Sequence, residues 1–152
     1  MRRRSILFGL ALASAVVLAA CGSSAPSASA PTALPGTSWT LGLQGGTQPA
    51  AQNPPTLAFA SDGKASGFGG CQPYTATYTV DGATIAFAGI AKTPTQDQCA
   101  PSVLEKQDAF LAALGGATGW RIETVMPTAG VKVLEPVKLL LDGPTALVFT
   151  LE

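Results

Sequence analysis

The chain has 152 residues, nine Lys plus Arg, nine Asp plus Glu and no histidine. Without histidine there can be no Ser-His-Asp or Cys-His arrangement and no histidine-ligated metal, and beyond Arg2, Arg3 and Arg4 the six remaining basic residues form no patch for nucleic acid. A charged fraction of only 12% suits a domain of β structure joined by short turns.

Arg2 to Arg4 precede an apolar run, Ile6 to Leu18, of the length of a signal h-region, and Leu18-Ala19-Ala20-Cys21 follows. This is the pattern of a bacterial lipobox, in which the cysteine thiol accepts a diacylglycerol and cleavage just before it leaves a lipidated N-terminus. Residues 1–20 are therefore expected to be a lipoprotein signal peptide. An ordinary secretory signal cut near Cys21 is the alternative; a transmembrane helix would need ~20 apolar residues. Two acyl chains hold a membrane stably where one does not, so Cys21 is expected to carry at least two. Residues 21–35 consist of Ser, Ala, Pro and Gly with little else and no charge, a composition that cannot bury enough apolar surface to fold. They read as a lipidated tether spanning at most ~50 Å. The chain is expected on the cell membrane or outer membrane, facing away from the cytoplasm. Losing Arg2, Arg3 and Arg4 leaves six basic and nine acidic residues.

Residues 36–152 are of ordinary size for one domain. Trp39, Leu41 and Leu43 alternate with other residues, as do Leu57 and Phe59, each set marking a strand with an inward face. Asp62-Gly63 makes a hairpin of Ala58 to Phe68. Gly67, Gly69 and Gly70 then mark a bend, a barrel corner or a close backbone approach. Tyr74, Ala76, Tyr78 and Val80 alternate with Thr75, Thr77 and Thr79, the period of a half-buried strand. Asp81-Gly82 turns the chain into Ile85 and Phe87. The spacing predicts one helix, Val103 to Leu114, opened by a capping box of Ser102 and Glu105 and stopped by Gly115-Gly116, with Val103, Phe110, Leu111 and Leu114 as its buried stripe. Trp120 and Ile122 return to strand. Asp142-Gly143 separates Val137–Leu141 from Ala146–Leu151. Three Asp-Gly turns predict an antiparallel meander, mainly β with one helix (α+β).

The stretch Gly67 to Tyr78, GFGGCQPYTATY, preceded by Thr37 to Leu41 (TSWTL) and followed by Thr93 to Cys99 and the helix, resembles the META domain of HslJ-type bacterial lipoproteins. The family usually has asparagine after the first cysteine; here the residue is Gln72. The resemblance implies a small, incompletely closed β-barrel-like sheet with a packed helix. It also places Cys71 and Cys99 at facing positions.

With Cys21 committed to lipid, Cys71 and Cys99 remain as an even pair in an exported protein, for which a disulfide is the default. Closing a loop of about 28 residues would stabilise the fold by roughly 3–4 kcal/mol. Two buried free thiols, or a redox or metal role, are the alternatives, although zinc would need further ligands. Asp62, Asp81 and Asp142 are explained by turns and Glu105 by the cap. Any acid/base pair would have to come from Asp97, Asp108, Glu123, Glu135 and Glu152, so no catalytic residue, metal or cofactor is assigned and the chain is not expected to be an enzyme. The glycines at 67, 69 and 70 lack the following helix and lysine of a phosphate loop. Tyr74, Tyr78 and Trp120 are candidates for a ligand pocket, against the simpler reading that aromatics at strand spacing are core.

Two functions remain. One, implied by the resemblance, is an anchored envelope lipoprotein acting by non-catalytic interaction in stress or antibiotic tolerance, with an envelope protein as partner. The other is a pilotin-like cracked barrel that takes a lipid or peptide. A filled barrel interior favours the first, and a contiguous apolar cavity the second.

Overall fold

Short-range signals fix most of the turns. The structure, a computed structural model, describes residues 33–49, 52–95, 98–124 and 137–152. Asp62-Gly63 joins β2 (Thr56–Phe59) to β3 (Lys64–Phe68), Asp81-Gly82 joins β4 (Pro73–Asp81) to β5 (Thr84–Lys92), and Asp142-Gly143 leads from β7 (Lys138–Asp142) to β8 (Leu147–Leu151). At the first turn the Lys64 amide donates to Asp62 Oδ1 at 3.2 Å and the Lys64 ammonium lies 3.0 Å from Oδ2. The hydrogen bond to Lys64 holds the Asp62 carboxyl below the usual carboxylate range.

The sheet is closed, not incompletely closed as the sequence led us to expect. β1 (Thr37–Gln44) pairs antiparallel with both β2 and β8, and each remaining strand pairs with its sequence neighbour, including β6 (Gly119–Glu123) with β7. The weakest join lies between β5 and β6, registered only at Thr84 and Gly119. There the helix α1 (Pro101–Gly115) connects the two strands and packs on the diverging end of β5: Ile90 Cδ1 lies 3.3 Å from where a Cβ on Gly115 would stand, and Lys92 pairs with Asp108 at 2.8 Å. The helix starts differently from the prediction. Ala100 occupies the N-cap with no side-chain hydrogen bond and Pro101 opens the first turn, where its missing N–H costs nothing and its φ is already helical. Ser102 and Glu105 thus lie inside the helix and form no cap.

The interior is filled. Trp39, Leu57, Phe59, Tyr74, Phe110, Leu139, Leu141, Leu147 and Phe149 are all at most 2% exposed, and rings meet edge-on at Phe59–Tyr78, Tyr74–Phe110 and Phe110–Phe149. Two residues depart from the expected alternation. Leu43 is 38% exposed because the β1–β8 register shifts between Leu41 and Leu43, a one-residue bulge that turns the following side chain to the other face. Val80, beside the Asp81-Gly82 turn at the end of β4, is 41% exposed. At the other end the fold takes in more than expected: Leu34, read as tether, is 1% exposed, and the Gly36 amide donates to Phe59 O at 2.7 Å.

Tyr74 and Tyr78 brace the barrel. From β4 each reaches past β3 to an end of β2: Tyr74 donates to Thr56 O at 2.7 Å and Tyr78 to Ala60 O at 2.9 Å. The β3 residues opposite β4 on this inner face are Ala65 and Gly67, small enough to leave the rings that path. Burial opposes ionisation of Tyr74 and pushes its hydroxyl above the ordinary value. The fold therefore keeps this proton to higher pH than the unfolded chain does. Its contribution is complete below about pH 10 and is lost as pH rises beyond that value. Tyr74→Phe is expected to cost about 1–3 kcal/mol at pH 7, the cost of orphaning the Thr56 carbonyl. It should also flatten the alkaline loss of stability. Urea unfolding of both proteins at pH 7 and near pH 11 checks this; parallel losses would contradict it.

Candidate functional site

The glycine bend after β3 is held against α1 by two separate ties. The first is covalent: Cys71 and Cys99 are disulfide-bonded with Cα atoms 6.1 Å apart, as the cysteine count led us to expect, and Cys99 stands two residues before the helix. The second was not foreseen. Gln107, 1% exposed and the single buried polar residue among those described, accepts the amides of Cys71 and Gln72 at 3.2 and 2.7 Å and donates to Gln72 Oε1 at 3.2 Å. Gly69 is required here by contact: a Cβ would stand 2.8 Å from the Gln107 side chain. Gln72, which replaces the asparagine usual in the resembling family, is thus half of a glutamine pair.

Gln107 lies four residues after Val103 and three before Phe110, on the stripe predicted to be buried. A polar residue in that stripe was the signal for an internal hydrogen-bonding role, and it was passed over. Buried residues of the helix include Gln107, Phe110, Leu111, Ala113 and Leu114; Val103 is only partly buried.

Beside this junction a cleft of about 460 Å³ opens between α1, the 69–70 bend and the segment linking β1 to β2. Gln107 and Gly69 contribute to its lining, with Lys106 and Val103 from the helix and Gln44, Gln52 and Asn53 from the opposite side. None of Tyr74, Tyr78 or Trp120 lines it. The two tyrosines are core braces, and Trp120 is spent on the β4–β5 turn, donating from Nε1 to Gly82 O at 3.0 Å. The tyrosines follow the simpler reading as core, and the cleft lies beside the glycine bend and the helix, at residues to which the sequence assigned no ligand.

Among the described residues the carboxylates do not gather. Asp108 pairs with Lys92, while Glu123 and Asp142 share Arg121, and these pairs raise the Arg121 guanidinium above its ordinary value, Asp142 most of all. All these pairs are exposed. No group of three or more His, Cys, Asp or Glu suited to a metal ion occurs among the described residues. Cys21, Asp97 and Glu135 lie outside the described residues, as do the leader and most of the tether.

Comparison with known proteins agrees with this architecture. The family model described as META domain matches residues 32–134; β7 and β8, which complete the barrel against β1 and β6, lie beyond the match. A structure solved by NMR of a protein from Burkholderia xenovorans is 25% identical, covers 78% of this chain and 83% of its own, and superposes with a TM-score of 0.57. A second NMR structure, 19% identical over 78% of this chain and 91% of its own, gives a TM-score of 0.53 and shares the fold. No curated protein matches the chain.

Proposed function

The chain belongs to the META domain family, and from that membership we propose that it is a non-catalytic interaction domain of the cell envelope, held on a membrane by lipid on Cys21. Its resemblance to HslJ-type lipoproteins points to a role in envelope stress or antibiotic tolerance. The observation that carries the reading is the filled barrel. A lipid bound inside, as in the pilotin-like alternative, would have to displace Trp39, Phe59, Tyr74 and Phe149, each at most 2% exposed. The outer face of β4 is threonine and is exposed, the inverse of the apolar exterior of membrane-spanning barrels, which supports attachment through lipid over attachment through this strand. Asp62, Asp108, Glu123 and Asp142 each lie in an exposed ion pair, whereas catalysis needs perturbed groups gathered in a cleft.

Metabolic labelling with a fatty acid is expected to mark the wild-type protein and to miss Cys21→Ser, which should also lose its contribution to antibiotic tolerance. Alanine substitution of Asp97, Asp108, Glu123 and Glu135 should leave that contribution intact. Label on the Cys21→Ser protein refutes the anchor. One carboxylate variant that folds, anchors and binds normally but has lost function would make the protein an enzyme.

A further inference from the structure

We propose that the cleft between α1 and the β1–β2 segment binds the C-terminal end of an extended peptide, with Lys106 receiving the terminal carboxylate. This rests on the reading that the domain acts by binding, and it names the class of partner. The cleft volume, about 460 Å³, lies within the range of ligand sites, roughly 300–1,000 Å³. Its composition selects the ligand.

Gln44, Gln48, Gln52 and Asn53 all line it, and none of their side chains hydrogen-bonds to a described residue. A carboxamide presents one acceptor oxygen and two N–H donors, the complement of a peptide group. Pro49, Pro55 and Val103 supply apolar wall between these amides, suited to small side chains. No aromatic ring lines the cleft among the described residues, so a sugar or a base would find no face there to stack on.

Charge fixes the orientation. Lys106 is the only charged residue of the lining among the described residues. The cations Lys64, Lys92 and Arg121 are each neutralised by a carboxylate, whereas Lys106, like Lys138 outside the cleft, makes no ion pair among the described residues. A ligand carboxylate beside Lys106 gains a charge-assisted hydrogen bond, and no acid lines the wall among the described residues. The floor is built in advance, because Gln107 makes three hydrogen bonds to the bend and the disulfide fastens that bend to the helix. Little ordering then remains to be done on binding. Capture of a terminal carboxylate is one of the recurring modes of peptide recognition, ordinarily through backbone amides; here the exposed Lys106 ammonium takes their place.

Isothermal titration of the full lipidated chain in nanodiscs, with the peptide Ala-Ala-Pro-Ala as free acid and as C-terminal amide, tests the proposal. The acid is expected to bind about tenfold more tightly than the amide, the ratio a single charged hydrogen bond supports. Lys106→Met should bring the acid down to the affinity of the amide without moving the melting temperature, and Lys138→Met should change neither. Absence of heat with the acid at millimolar concentration overturns the proposal, as does equal affinity for acid and amide. An unchanged affinity of the acid in Lys106→Met, or binding of chitotriose in place of the peptide, also overturns it. Any of these leaves the non-catalytic reading standing, since only the carboxylate scan bears on that.

Discussion

Gly67→Ala is expected to destabilise the domain by about 3 kcal/mol or more, at or beyond the upper end of ordinary overpacking. A Cβ at this position would stand 2.1 Å from Thr56 O and 3.0 Å from the Tyr74 hydroxyl. The nearer obstacle is backbone, so no rotamer change relieves it; β2 and β3 would have to part at the point where the Phe68 amide donates to Thr56 Oγ1 at 3.0 Å. That movement would also break the Tyr74 brace. Gly42→Ala is the control. Its nearest neighbour, Val148 O, lies at 3.4 Å, an ordinary contact, and substitution there should change stability by less than about 1 kcal/mol. Urea midpoints of the two variants decide the matter. Adding Tyr74→Phe to Gly67→Ala should not restore stability; if it does, the hydroxyl and not the backbone is the obstacle.

Replacing Cys71 and Cys99 together by alanine is expected to cost roughly 3–4 kcal/mol, the chain-entropy value for a loop of this length. For a domain of this size that lowers the melting temperature by on the order of 10 °C. Beyond this global loss, the part of the molecule most affected should be the cleft, because the crosslink is the covalent tie between the bend and the start of α1. Gln107 then holds the junction alone. Amide hydrogen exchange should accelerate at Cys71, Gln72 and the first turns of α1 more than in β4 or β8, and reductant should reproduce the effect in the wild-type protein. A melting temperature indifferent to reductant would show that the crosslink contributes nothing.

The two substitutions act on features of unequal visibility in the sequence. The turns, the alternating strands, the single helix and the cysteine pair were all legible, because each depends on residues close in sequence or on a count. Asp-Gly needs only its own backbone to make a turn, a period of two needs only one buried face, and once Cys21 is assigned to the leader the two remaining cysteines have only each other. Gly67 was recognised as a bend or close approach, but what it approaches was not visible.

The tertiary structure decided the rest through contacts between residues far apart. Closure depends on β1 meeting β8, more than a hundred residues later, and on α1 covering the gap beside β5. Neither is encoded in any local window, and the expectation of an incompletely closed barrel came from the family resemblance alone. Tyr74 and Tyr78 looked like candidates for a pocket because an aromatic on an inward face carries the same period whether it lines a cavity or fills a core. Their hydroxyls become braces only because Ala65 and Gly67 let them past to β2. Ser102 and Glu105 had the spacing of a cap, but Pro101 and the disulfide at Cys99 set where the helix begins. Gln107 has no local reason to be polar. Its partners, the Cys71 and Gln72 amides and the Gln72 side chain, are brought to it only when the bend folds onto the helix, and the cleft exists only once that junction has formed.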